Sequence, residues 1–467
     1  MLQSFIDLII FDENASMKNA FLFVALLFCF AGKSQSIIDL VNEVSLDSLI
    51  LKINEFSGEV PTVVNGNTVT ILNRVSNSDN NLAAEYLLQE LNSLNSLNVL
   101  DQVYSSNGRN IIAIQEGKTN PEDIYIVCAH YDSVANYCAD DNASGTTAIL
   151  EIARILSTQC LDNTIVYALW DEEEIGLIGA GYYANQAANN GDNILGVLNI
   201  DMMAYDGDGD NDFDIDVRDI ANSLQIKDDI IAVLNTYGFN LNANVVNPGT
   251  TASDHSKFWN EGYSAVLFGE AWSNGDFTPD YHTSSDRVST LNLSYFHEMT
   301  RLIMAYITTK GGLVNVDNTI SQNGPVLTAN QSGVSYQWIN CKTGSPISGA
   351  TNQSYTATFR GNFAVEITSG SCTETSECVN VNSLSFDGPD GNEIKIFPNP
   401  VTTKLFIEFS EYSNGKIELF NLYGQKVIHK FLTDKSEELS VDFLSSGLYF
   451  IRISINSKIL NFKLIKE

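Results

Sequence analysis

Residues 124–145 read IYIVCAHYDSVANYCADDNASG, and the reading of the whole chain turns on this stretch. Ile124 to Ala129 is a short continuous apolar run, the pattern of a strand buried on both faces. It delivers His130-Tyr131-Asp132 at its end. Ten residues after His130 comes Asp140-Asp141-Asn142-Ala143-Ser144-Gly145. These residues open a helix over Ser144 to Leu156, where Ala148, Ile149, Ile152, Ile155 and Leu156 recur at helical spacing.

Outward from this unit the same alternation continues. Arg109 to Gln115, Thr164 to Trp170, Leu195 to Ile200 and Tyr263 to Phe268 are further short runs rich in β-branched and aromatic residues, most bounded by Gly, Asn, Asp or Pro. Leu82 to Leu91 is a second helix candidate. Apolar strands separated by helices predict an α/β fold, a central sheet with helices on both faces. In such sheets the polar site residues gather just beyond strand ends.

The chemistry-bearing residues fall there. Thr164 to Trp170 delivers Asp171, Glu172, Glu173 and Glu174; Leu195 to Ile200 delivers Asp201; Tyr281-His282-Thr283 sits in a polar loop after the last strand. Carboxylates and imidazoles at consecutive strand ends are hard to explain as packing, because unpaired buried charges are costly. Zinc takes imidazole nitrogen and carboxylate oxygen. Two zinc ions require one shared carboxylate and two further ligands each, and five residues from these strand ends meet that count. Of the pair Glu173 and Glu174, one would bind metal and the other would act as base.

The composition agrees with an exported protein. The 467 residues carry 57 acidic against 25 basic groups, a formal net charge of -32, which disfavours nucleic acid and anionic lipid as partners. Met17-Lys18-Asn19 followed by the apolar run Ala20 to Ala31 and the small residues of Gly32 to Ser36 reads as a signal peptide, with Met17 as the expected start. The run is too short for a permanent span, and no other segment is a transmembrane candidate. Cys29 would leave with the signal. No C-x-x-C pairs suggest a cysteine zinc site, and one disulfide is expected within 341–378. The expected units are 1–36 (extension and signal), 37–312 (α/β), 313–384, a 385–393 linker, and 394–467. Residues 313–384, with Trp338 near Cys341 and later Cys372 and Cys378, resemble an immunoglobulin-like sandwich.

The runs AHYDS, ADDNASG, EEIGL, NIDM, SDH and YHTSSD occur in the order and spacing of secreted bacterial leucyl-type zinc aminopeptidases, which the chain resembles over residues 45–310. That superfamily also holds glutamate carboxypeptidases and glutaminyl cyclases. The resemblance implies the zinc exopeptidase fold, with a mixed sheet. It implies two zinc ions bridged by Asp140, with His130 and Asp201 completing one site and Glu174 and His282 the other. It further implies a cis peptide between Asp140 and Asp141, Glu173 as general base, Tyr281 as oxyanion donor and Asp132 orienting His130. Asp254 and His255 are read as structural. Segments IFPNP (396–400), LFNLYG (419–424) and SGLY (446–449) resemble a type IX secretion C-terminal sorting domain. That likeness implies export through the periplasm of a Gram-negative bacterium, engagement of outer-membrane secretion machinery and removal of the unit.

The function expected from all this is an exported di-zinc aminopeptidase acting on peptides. The alternatives are a carboxypeptidase or glutaminyl cyclase of the same superfamily, and an adhesin with a degenerate core. Asp206 to Asp219 alternates carboxylates; a solvated hairpin is the simpler reading and a calcium loop the alternative, with Phe213 where an EF-hand requires Gly.

Overall fold

The computed structural model describes residues 36–467 apart from 76–77, 95, 371, 383–385, 388–392, 410–413 and 456–457. The expected signal peptide lies outside the described residues. Two helices come first, α1 (Ile37–Val41) and α2 (Leu46–Phe56). Each starts at a serine whose hydroxyl accepts a backbone N–H of the first turn, Ser36 from Asp39 and Ser45 from Ser48. A hairpin of β1 (Thr62–Val64) and β2 (Asn67–Val69) and the helix α3 (Ser78–Asn92) follow.

The central sheet is built from β3 (Asn98–Val103), β4 (Arg109–Gln115), β5 (Asn120–His130), β6 (Asn163–Trp170), β7 (Ile194–Ile200), β8 (Asp212–Asp216), β9 (Asn242–Val246) and β10 (Ala265–Glu270). Its strand order is β3-β4-β6-β5-β7-β10-β8-β9. The middle strands β6, β5, β7 and β10 run parallel; β4 and β8 pair antiparallel to their inner neighbours, so the sheet is mixed. Helices α4 (Gly145–Leu156), α5 (Ile178–Asn190), α6 (Ser223–Tyr237), α7 (His255–Asn260) and α8 (Leu293–Gly311) cover it. Side chains alternate across a strand, and β5 demonstrates the result: Val127 and Ala129 join the core under α4 and α8, while Ile126 and Cys128 join the one under α5 and α7. Burial on both faces is why these strands are apolar throughout.

Within Asp206 to Asp219, the part Asp212–Asp216 is not solvated as expected but forms the strand β8, with Phe213, Asp214, Ile215 and Asp216 all buried. Its alternating carboxylates are the sheet period of two, one face carrying Phe213 and Ile215 and the other carrying the acids.

Beyond α8 the regular elements among the described residues are all β-strands. Residues 320–381 form sheets of three and five strands around Leu327, Trp338, Phe363 and Val365, with Cys341 bonded to Cys378. Residues 386–466 form two four-stranded sheets around Leu405, Ile407, Ile417, Leu419 and Ile453. Phe386–Asp387, within the expected linker, pairs with Glu393 and Ile394 at the edge of the first of these. Among the described residues no helix is long and apolar enough to cross a membrane.

Candidate active site

Strand register assembles the site. His130 lies opposite Trp170 in the β5–β6 ladder, so Asp171 to Glu174 emerge beside the chain leaving β5. Cys128 lies opposite Asn199 in β5–β7, which places His130 and Asp201, each two residues further on, side by side. The loop after β10 brings in His282. Among the described residues, six of the nine non-glycine residues with left-handed backbone are here: Tyr137, Cys138, Glu172, Leu177, Met202 and His282. Such conformations cost on the order of 1 kcal/mol or more each and cluster at functional sites.

Two sets of donors share one carboxylate. His130 Nε2 is 3.3 Å from Asp141 Oδ1 and 3.3 Å from Asp201 Oδ1. His282 Nε2 is 3.2 Å from Asp141 Oδ2 and 3.2 Å from Glu174 Oε2. Each set, His130–Asp141–Asp201 and Asp141–Glu174–His282, has its donor atoms within 4.8 Å of one another. Asp141, not Asp140, therefore occupies the position between the sets. The chain folds into an irregular turn over Ala139–Ser144, and the two neighbouring carboxylates leave it in different directions. Asp140 Oδ1 accepts the backbone N–H groups of Met203 (3.1 Å) and Ala204 (2.9 Å), holding the chain beyond Asp201. The cis peptide also lies one residue later than expected, between Asp141 and Asn142.

The donor set fits a divalent metal. Glu174 Oε1 is buried without a hydrogen-bond partner, and Asp141 Oδ2 and His130 Nδ1, equally buried, have only the longer contacts to His282 (3.2 Å) and Asp132 (3.4 Å), an expensive arrangement for a protein core unless a cation satisfies the cluster. Glu173 stands over the same centre, within ligand distance of His130 and Glu174. Burial pushes its carboxyl up to about 10, with Asp254, Asp201 and Glu174 adding to the rise and His130 opposing it. Burial, then the Asp141 charge, pushes Glu174 up to about 8. Burial would also raise Asp141, but hydrogen bonds from His130 and His282 outweigh it and hold that group well below the usual range. Tyr281 stacks on the His282 ring at 3.7 Å between centroids and meets Trp272 edge-on at 5.2 Å, its ring on the site's open side.

Neighbouring groups hold these side chains in place. Asp132 lies 3.4 Å from His130 Nδ1 and accepts the backbone N–H of Glu173 (3.1 Å) and Glu174 (3.2 Å). It thereby fixes Glu173, Glu174 and His130 relative to one another. Ser253 donates to Asp201 Oδ2 at 2.6 Å and accepts from Asn199. Asp254 is fully buried, and burial raises it well above the ordinary range; His255 Nε2 donates to the Thr250 carbonyl, 3.0 Å away.

Two supporting residues escape sequence reading. Asp286 accepts three backbone N–H contacts, from Asp140 at 2.9 and 3.1 Å and from Asp141 at 3.0 Å, clamping the turn that carries the shared carboxylate. Arg74, fully buried, donates to the carbonyls of Phe56, Tyr131, Tyr137 and Cys138, tying together both ends of the loop after His130. The YHTSSD run contains Asp286, so a motif was available for the first; Arg74 has no local signal. Asp206, Asp208, Asp210 and Asp276 converge elsewhere, and the first three each accept a backbone N–H two or three residues on, as turn-forming aspartates do.

Residues 110–307 match the profile of peptidase family M28, and residues 395–467 match the secretion system C-terminal sorting domain. The α/β region is thus similar to M28 peptidases, and the C-terminal unit to type IX secretion sorting domains. A probable zinc metalloprotease of Leptosphaeria maculans is 40% identical over 103 residues, which cover 20% of this chain and 24% of that one. Aminopeptidase YwaD of Bacillus subtilis is 27% identical over 205 residues, 43% of this chain and 44% of the relative. The chain thus spans less than half the length of either relative. The LapA aminopeptidase of Legionella pneumophila has the same fold, with a TM-score of 0.52 at 19% identity over 60% of this chain and 75% of that chain.

Proposed function

We propose that the protein is an exported zinc aminopeptidase that removes N-terminal residues from peptides. The observation that carries the reading is the division of the Asp141 carboxylate between two donor sets, one oxygen to each. His130, Asp141 and Asp201 would hold one zinc ion, and Asp141, Glu174 and His282 a second. When bound, the metal supplies a Lewis acid for the scissile carbonyl and acidifies water to a pKa of about 7.

The chain's own residues do the rest. Glu173 belongs to neither set that shares Asp141, and it takes the proton of the attacking water and returns it to the leaving amine. The Tyr281 hydroxyl donates to the oxyanion that develops on the carbonyl oxygen. Asp132 keeps His130 and the Glu173–Glu174 backbone aligned. Residues 313–384 are read as an immunoglobulin-like accessory unit. The sorting domain addresses the chain across the periplasm of a Gram-negative bacterium to its outer-membrane secretion machinery, and is then removed.

Assays on free and N-acetylated peptides, with and without chelator, test the reading. The expected result is cleavage of free peptides only, abolished by chelator and restored by zinc. Cleavage of the blocked peptides would overturn the aminopeptidase assignment, and chelator-resistant cleavage the zinc assignment.

A further inference from the structure

The donor cluster lines one part of a cavity of about 660 Å³. Away from the cluster the lining includes apolar Met202, Val246, Leu267 and Trp272 together with Asp214 and Asp216. Both acids are buried, 3% and 7% exposed. Only neutral donors hold them: Ser273 gives Asp214 its backbone N–H (2.6 Å) and hydroxyl (2.7 Å), and the Thr250 N–H gives Asp216 one bond of 2.7 Å. Among the described residues no lysine or arginine lines the cavity or pairs with either carboxylate. Two buried like charges with no cation are costly, and that cost marks a place where a cation is missing.

The register places these acids within reach of a substrate. Asp214 lies opposite Gly269 and Asp216 opposite Leu267 in the β8–β10 ladder. The chain leaving β7 stays bonded to β10, Asp201 to Phe268 and Met202 to Glu270, and a Cβ on Gly269 would come within 2.4 Å of the Asp201 carbonyl oxygen. The acids therefore sit across β10 from the Asp201–Met202 segment, two strand spacings or about 10 Å away, their side chains on the face of Leu267 and Gly269. A side chain entering from the scissile bond would lay an apolar stem along Met202 and Leu267 and bring its head to the carboxylates. Lysine and arginine have that construction, an aliphatic stem with a cationic end. At the rim the exposed Trp272 face, stacked on Phe277 at 4.1 Å, offers a further surface for a cation.

We infer that this cavity is the specificity pocket for a basic N-terminal residue, with Asp214 and Asp216 binding the ammonium or guanidinium of lysine or arginine. The inference rests on the aminopeptidase reading above. Burial, the first cause, raises both carboxyls, and the Asp214 charge raises Asp216 further. An incoming cation relieves that strain. A neutral apolar side chain of the same length would leave the acids buried and unpaired.

The test compares lysyl, arginyl, leucyl and glutamyl p-nitroanilides on the zinc-loaded full chain, wild type and Asp216→Asn. Calorimetric titration with lysinamide and leucinamide runs beside it. The expected result is a lysyl and arginyl preference over leucyl in kcat/KM of at least about 10-fold, falling by a similar factor in the variant. Lysinamide should bind more tightly than leucinamide to the wild type, a comparison that does not depend on the variant's folding. Turnover with leucyl preferred overturns the pocket and leaves the aminopeptidase standing. Tight lysinamide binding without turnover of any substrate keeps the pocket and overturns the aminopeptidase. Equal binding of the two amides together with equal turnover also overturns the pocket.

Discussion

Around its candidate site the α/β region buries carboxylates without a cation beside them, whereas the C-terminal sorting unit buries them against lysines. In the sorting unit Glu418, 4% exposed, lies between Lys416 at 3.1 Å and Lys426; Glu437, 2% exposed, pairs with Lys430 at 2.8 Å and accepts from Thr433 and Asp434. Hydrogen bonds from Lys426 and Lys416 lower Glu418 to about 2. At Glu437 burial acts upward, but Lys430 and Thr433 overcome it and leave it at about 2 as well. In the α/β region Asp254 and Glu270 are as deeply buried, have oxygens without partners, and are raised well above the ordinary range, burial being the first cause in each. The difference separates two uses of one residue type. A carboxylate with its cation built in holds a structure together, whereas one without is a place for something the chain does not contain.

The sharpest way to break this comparison is to remove one acid from each region. Glu173→Gln should lower kcat by about 10² to 10⁴-fold, with zinc content and the circular dichroism spectrum unchanged. Glu418→Gln should leave turnover alone and lower the melting temperature of the sorting unit. Turnover retained in the first variant would remove Glu173 from its role. Chelation comes next in size. At zinc 100-fold above its dissociation constant, the α/β region should gain about 2.7 kcal/mol, lost on chelation, while the sorting unit's transition stays put. Calorimetry with and without chelator reads both transitions.

Asp286→Asn should weaken zinc binding by about 10 to 100-fold, since it loosens the turn under Asp141 without removing a ligand. A competition titration against a zinc-sensitive dye measures it, and unchanged affinity would dismiss the clamp. The smallest effect is one of pH. Glu418 and Glu437 have folded values near 2 against an ordinary 4.5, so their contribution is fully present above about 4.5 and lost as pH falls toward 2. Hydrogen exchange of residues 404–455 in the full chain at pH 5 and pH 3, corrected for intrinsic rates, should register that loss.

Much of this was legible in the sequence. The strands β4, β5, β6, β7 and β10 announce themselves as apolar runs because burial on both faces leaves no polar positions to blur them. The residues at their ends follow from the same placement. Asp140 and Asp141 could not be told apart, because adjacent identical side chains differ only in the direction an irregular turn gives them. The strand β8 was misread for a related reason: alternating aspartates look hydrated when only one of the two faces they define is considered. Arg74 acts through carbonyls up to 64 residues away, a distance no local pattern encodes.

The Asp286 clamp bears on when the candidate site forms as well as on its shape. Its bonds to the backbone of Asp140 and Asp141 close loops of 146 and 145 residues. Closing such a loop costs roughly 4 kcal/mol of chain entropy beyond a constant term, recovered only once the intervening sheet has formed. His282 arrives on the same late segment. A half-made or unfolded chain thus has neither the second donor set nor the turn that supports the first, and the candidate site is among the last parts of the α/β region to form.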